Sequence, residues 1–247
     1  MLTLLAFAAA AAPDLDATAI LDRAIEAAGG AEWRDAKTLV LEGSATFWGP
    51  SGAAPRSRAA DYRMWRVFDP ARQAAHGAEG KVRILACNGA TRLFTVGYDG
   101  ATTWTERGVT PPAEAEAFWA SNFGFGIIRH ARRPGFKAER VADGGLDGHP
   151  LYMVRLTDPQ GGVTLFGIDQ RSFAIRSMGF QSPRGWHVRT YNDFFRPPGR
   201  KWLQAGRVTL YYNGVKSNEV IWRTAAIDTT LDDRLFAPDS PITCTGG

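Results

Sequence analysis

After Gly30 the apolar residues of this chain stop recurring at helical spacing and begin to alternate, and with one interruption they do so as far as Ala226. Leu39, Leu41, Gly43, Ala45 and Phe47 alternate with Val40, Glu42, Ser44, Thr46 and Trp48. Successive side chains of a strand point to opposite faces, so a period of two writes a long β-strand. The same pattern predicts strands at Ala59–Phe68, Val82–Cys87, Arg92–Val96 and Thr102–Glu106. It returns near Phe136–Ala142, Leu151–Thr157, Val163–Ile168, Phe173–Phe180, Trp186–Phe194, Val208–Tyr212 and Val215–Ala226. Asn88-Gly89, Asp99-Gly100 and Asn213-Gly214 separate such runs, and these dipeptides supply the positive φ of tight hairpin turns. Parallel strands need long crossovers, so short turn-linked runs favour an antiparallel meander. The expected fold is mainly β, one antiparallel sheet of about eleven strands with two helices.

The first helix is expected over Ala17–Ala28, where Ile20, Leu21, Ala24, Ile25 and Ala28 form one stripe. Asp16 or Thr18 caps its start, and Gly29-Gly30 stops it. The second helix is the interruption. Thr110-Pro111-Pro112 suits a helix start, where a missing N–H costs nothing. Ala115, Phe118, Trp119, Asn122, Phe123, Gly126 and Ile127 then follow one stripe. Gly124 and Gly126 cost about 1 kcal/mol each in propensity, so this helix is expected to be short or broken. Residues 49–57 and 69–80 read as loops, and no linker divides the chain.

Apolar residues make up 45% and charged residues 22% of 247, which excludes a disordered chain. The net charge is only +4, and the densest basic group is Arg129, Arg132 and Arg133. That is a solvated surface rather than the basic stripe of a nucleic-acid binder, so no nucleic acid is expected as a partner. Leu2–Ala12 is an apolar, alanine-rich run ending in small residues, which reads as a signal peptide over residues 1–12. Cleavage is expected between Ala10 and Asp14, leaving 13–247 as one domain in the periplasm. A buried N-terminal helix is the alternative reading. The run falls short of the roughly 20 apolar residues that span a bilayer, and no other segment is long enough. No cysteine follows it to mark a lipid anchor. Cys87 and Cys244 are the only cysteines, and both a disulfide and two buried thiols remain open.

The familiar catalytic and metal motifs are missing. His76, His130, His149 and His187 have no metal-ligand spacing. Gly49-Pro50-Ser51-Gly52 is not a nucleophile elbow, and Gly77–Lys81 is too short for a phosphate loop. Asp143, Asp169 and Asp193 are isolated acids suited to turns and surfaces. No cofactor, metal or catalytic residue is expected, and the chain reads as a binder rather than an enzyme.

Four features in order carry a family resemblance. They are the opening AIEAAGGAEWRDAKTLVLEGSATF, the hairpin Asp99-Gly100-Ala101-Thr102-Thr103-Trp104, the apolar helix after it, and Asn213-Gly214 with the closing Leu231-Asp232-Asp233-Arg234-Leu235-Phe236. Over residues 18 to 240 the chain resembles the LolA/LolB-type family of periplasmic lipoprotein-sorting proteins. The resemblance implies a curved half-barrel whose helices form a lid over an apolar concave face that binds acyl chains. It also implies an arginine that bonds the lid, for which Arg63 and Arg66 both qualify.

The expected ligand-binding face comprises Phe47, Trp65, Phe94, Trp104, Phe118, Trp119, Phe123, Ile127, Leu156, Trp186, Leu210 and Trp222. The alternative is that these residues form a filled core. The expected partners are lipid or lipoprotein acyl chains, with a protein donor or acceptor at the membranes, and the chain is expected to be monomeric. A sensor using the same lipid site and an enzyme acting on an apolar substrate are the competing functions.

Overall fold

The computed structural model describes residues 14–240 and 242–244, so the expected signal peptide lies outside the described residues. The fold is mainly β, a single open antiparallel sheet of thirteen strands. The first meander is β1 (Thr38–Trp48), β2 (Pro55–Val67), β3 (Lys81–Asn88), β4 (Thr91–Tyr98), β5 (Thr103–Thr105) and β6 (Gly108–Val109). The second is β7 (Lys137–Leu146), β8 (His149–Thr157), β9 (Val163–Asp169), β10 (Ile175–Ser182), β11 (Gly185–Asn192), β12 (Arg207–Tyr212) and β13 (Val215–Ile227). The expected strand at Thr102–Glu106 is present as β5, whereas β6, only two residues long, is too short to show a period and was missed. Phe173 adopts a left-handed φ of 58°, which delays β10 to Ile175.

The strand order is β6-β5-β4-β3-β2-β1-β13-β12-β11-β10-β9-β8-β7. Each meander therefore pairs only with sequence neighbours, and β1 joins β13 at a central seam, with Leu39 opposite Ile227. A register shift between Glu42 and Gly43 marks a bulge in that seam, and bulges bend and twist a sheet. Only glycine fits at position 43, because a Cβ there would lie 1.9 Å from the Ile221 carbonyl oxygen.

Helix α1 (Ala17–Ala28) matches its expected span. The Asp16 carboxylate accepts the Ala19 N–H at 2.7 Å, a cap worth about 1 kcal/mol. At the other end Gly29 takes φ 134°, a conformation that L side chains rarely adopt. Ile20, Leu21, Ala24 and Ile25 are buried with Tyr152, Val154, Leu156, Phe166 and Ile168, so α1 fills the concave face of the second meander. A one-turn helix, α2 (Ala31–Arg34), follows and buries Trp33.

The first meander buries part of its convex face as well. On the convex side Trp65, Leu85 and Cys87 pack under Leu235 and Phe236 of the C-terminal segment. Arg83 donates to the Leu235 carbonyl at 2.8 Å, and Arg63 donates to that of Thr243 at 3.0 Å. Cys87 and Cys244 form a disulfide that fastens the segment to β3.

This second apolar face corrects two expectations. Trp65 and Trp104 were expected on the concave face and lie on the convex one. In β2 the inward parity belongs to Tyr62, Met64 and Arg66, which turns Trp65 outward. In β5 Trp104 pairs with Gly97, where a Cβ would sit 2.2 Å from the indole, and its Nε1 donates to the Phe236 carbonyl at 2.7 Å.

Candidate functional site

Because β6 and β7 are opposite edges, the chain between them must cross the sheet. It does so over the concave face as α3 (Pro112–Asn122), a break at Phe123–Gly124, and a 3-10 turn over Phe125–His130. The helix is thus short and interrupted, as its glycines suggest. Trp119 wedges against Val82 and Val96, and its Nε1 donates to Thr103 Oγ1 at 2.7 Å. The Ser121 carbonyl, freed by the helix end, accepts from Tyr212 Oη at 2.7 Å and from His187 Nδ1 at 2.8 Å. Burial first, and then Arg189, lower His187 to about 2, so the imidazole is neutral and donates through Nδ1.

Between this lid and the sheet lies a chamber of about 820 Å³, within the range of small-molecule sites. Its wall includes Leu39, Leu41 and Phe47 of β1, Tyr62 and Met64 of β2, Phe94 and Val96 of β4, and Val220 and Trp222 of β13. Phe47 and Phe94 meet edge-on at 5.5 Å, and Tyr62 lies 5.4 Å from Trp222. Pro50, Arg56, Arg184, Asn213 and Val215 line an exposed mouth at the turn ends. Trp33, Phe68, Arg129, Tyr191 and Trp202 form a buried inner end.

An ion cluster supports the lid break. Glu79 Oε2 accepts from Arg66 at 2.7 Å and also from Arg72. Burial pushes Glu79 up, but Arg66 and Arg72 together outweigh it and hold the carboxylate below its ordinary range. Gly126 rests on this cluster, and a Cβ there would meet Arg72 Nη1 at 3.1 Å and Glu79 Oε2 at 3.3 Å. Arg66 also lies 4.9 Å from the Phe123 ring, so it touches the lid directly. Arg63 instead pairs with Asp61 at 3.0 Å on the convex side. Of the two candidates, Arg66 alone occupies the lid-facing position.

Of the expected ligand-binding residues, Phe47, Phe94, Phe118, Phe123 and Trp222 line the chamber together. Trp65 and Trp104 lie beneath the C-terminal segment, as described. Trp119 is buried under the lid, and Ile127 and Leu156 belong to the filled core around α1. Leu210 is buried in β12 without lining the chamber. Trp186 is half-exposed because its strand turns His187, Arg189 and Tyr191 inward; its ring instead covers Gly179.

Sequence reasoning missed Trp33, Tyr62, Phe68, Tyr191, Trp202 and Arg129. Arg129 departs most from expectation. Read as part of a solvated basic group, it is only 8% exposed and lies over the rings of Phe68 at 4.0 Å, Trp33 at 4.6 Å and Trp202 at 5.1 Å. Burial, followed by Arg66, lowers its pKa to about 9. The parity of β2, with Tyr62, Met64, Arg66 and Phe68 on one side, was the one available signal for part of this set. Two of the histidines meet in space, His76 and His187 stacking on opposite sides of Phe180 at 4.0 and 4.4 Å.

No family model matches the sequence, and no curated protein does. Solved structures do match the fold. A LolA superfamily protein from Nitrosomonas europaea superposes with a TM-score of 0.55 at 14% identity, covering 90% of this chain and 98% of that one. A Vibrio parahaemolyticus domain classed among outer membrane lipoprotein-sorting proteins gives 0.53 at 13% identity, covering 87% and 95%. A DUF1329 family protein from Desulfovibrio piger gives 0.52 at 9% identity, covering 90% and 97%. The chain thus shares its fold with these solved structures, one of which is a LolA superfamily protein.

Proposed function

We propose that this protein is a periplasmic carrier that holds an acylated or otherwise apolar ligand in the chamber beneath α3, and that it is a binder rather than an enzyme. The observation that carries the reading is the aromatic wall of Phe47, Phe94, Tyr62 and Trp222 around about 820 Å³ of space. A filled core would have closed that space, because interiors pack to crystal density. Burying an acyl chain there gains about 0.8 kcal/mol per CH₂. The similar Vibrio domain is classed with lipoprotein sorting, and by that analogy the chain is an acyl group of a lipoprotein or lipid. The Cys87–Cys244 disulfide supports export to an oxidising compartment, as does the apolar run at Leu2–Ala12. The mature protein then begins between Ala10 and Asp14 and works as one monomeric domain.

Native mass spectrometry of the protein purified from the periplasm tests this. A co-purifying lipid or lipopeptide is expected, and it is expected to be lost in Phe94→Asp with Trp222→Asp. A stoichiometric protein partner with no lipid in either form would replace the carrier with an interaction protein.

A further inference from the structure

The chamber walls are apolar, yet every charged side chain that reaches the chamber is basic. Arg56, Arg66, Arg129, Arg184, Arg189 and Lys216 line it, and among the described residues no aspartate or glutamate does. Most of these cations are accounted for. Arg66 is bonded to Glu79, Lys216 to Glu219 at 3.0 Å, Arg184 is exposed over the Tyr212 ring, and Arg56 is exposed at the mouth.

Arg129 is different. Its Nε and Nη1 are buried and have no hydrogen-bond partner. The acids that act on it through space are Glu79 and Asp228. Glu79 is already bonded to two arginines, and Asp228 accepts the Lys37 N–H. The Tyr191 hydroxyl, on the same chamber wall, is likewise buried without a partner. Phe125 links the two, its ring 4.8 Å from Tyr191 and 6.1 Å from the Trp33 ring that Arg129 covers. Arg189 stands two residues from Tyr191 on the same inward face and makes no hydrogen bond or ion pair among the described residues.

Leaving a guanidinium's donors unmet in a dry site is costly, and ring faces satisfy its charge but not its N–H groups. A planar fork of N–H donors matches the two oxygens of a carboxylate or phosphate. We propose that the ligand is an anionic amphiphile whose oxyanion head group binds Arg129 and Tyr191 at the inner end, with Arg189 adding charge and the chain running along the aromatic wall. This rests on the chamber's being a site for apolar chains. A free inorganic anion would satisfy the donors but leave Phe47, Phe94 and Trp222 bare, so head and chain belong to one molecule.

The test uses delipidated full-length mature protein and two probes, a pyrene-labelled long-chain fatty acid and its methyl ester. The acid is expected to bind at least about tenfold more tightly, a difference of about 1.4 kcal/mol. Arg129→Met is expected to abolish that preference while keeping ester affinity. Tyr191→Phe is expected to reduce it, which keeps the test alive if Arg129→Met fails to fold. Arg56→Ala with Arg184→Ala is expected to leave the preference intact, and inorganic phosphate at the same concentration is expected not to displace the acid. Equal affinity for acid and ester in the unmodified protein overturns the head-group site alone. So does a preference that survives Arg129→Met but falls with the mouth variant, or displacement by phosphate. Failure to bind either probe overturns the carrier reading as well.

Discussion

Replacing Glu79 with glutamine removes the carboxylate that the buried Arg66 and Arg72 share. The Glu79 side chain is 2% exposed, that of Arg72 4% and that of Arg66 11%, so water cannot take the carboxylate's place. Both guanidinium groups bond the same oxygen, Oε2. Breaking a buried pair by removing one partner costs about 3–5 kcal/mol. In a chain of this size 1 kcal/mol corresponds to about 2–4 °C, so Glu79→Gln is expected to lower Tm by about 6–20 °C. Near-UV circular dichroism during heating is the assay, because eight tryptophans report packing. Substituting both partners with apolar residues, Glu79→Leu with Arg72→Met, is expected to recover part of the loss. The effect also has a pH signature. Glu79 is held below its unfolded value, so its contribution is complete above the unfolded carboxylate pKa and is lost as pH falls through the folded one. The gap in Tm between the native protein and Glu79→Gln should therefore narrow on acidification from pH 7 towards about pH 3. A drop of less than about 2 °C at pH 7, or a gap that does not change with pH, would refute the claim that this cluster supports the lid.

Three further outcomes are expected. Burial lowers His76 and His130 to about 4 and His187 further, so the unfolded chain takes up more protons below the unfolded histidine value of about 6.5, and Tm should fall between pH 6.5 and 4.5; a flat profile there contradicts their burial. Trp104→Phe leaves the Phe236 carbonyl without its donor and should cost about 1–3 kcal/mol in urea denaturation while apolar-probe affinity stays unchanged; weakened binding would place Trp104 in the chamber after all. Tyr212→Phe removes one of the two donors to the Ser121 carbonyl, so amides from residues 112–130 should exchange faster while those of β1 and β13 do not; equal rates in the two proteins would mean that Tyr212 does not hold the lid.

What the sequence disclosed and what it hid divide along a physical line. Helix α1 was legible to its ends because its cap, stripe and glycine stop are all local. The strands were legible for the same reason. The face on which a tryptophan lands was not, because the convex side becomes apolar only when Leu235 and Phe236 fold back onto β3 from far along the chain. Trp65 and Trp104 were therefore assigned to the only face thought to be buried. The choice between Arg63 and Arg66 was within reach, since Arg66 shares its parity with Tyr62 and Met64. Arg129 was hidden more deeply. Its neighbours Arg132 and Arg133 are exposed, and three aromatic rings from separate segments bury it.

The single seam has a consequence for how the protein reaches this state. The strands of each meander meet only their neighbours, so hairpins can form early and locally, whereas β1 must wait for β13 before Leu39 finds Ile227. Distant pairings close the longest loops and come slowly. Until they close, the segment that ends up as the lid has no two edges to bridge, and the aromatic wall lies open as two separate troughs. The chamber is thus expected to close late in folding. An acyl chain that meets the protein during that interval needs to displace no lid at all, and a nascent chain with both troughs bare is at its most adhesive just before it becomes a container.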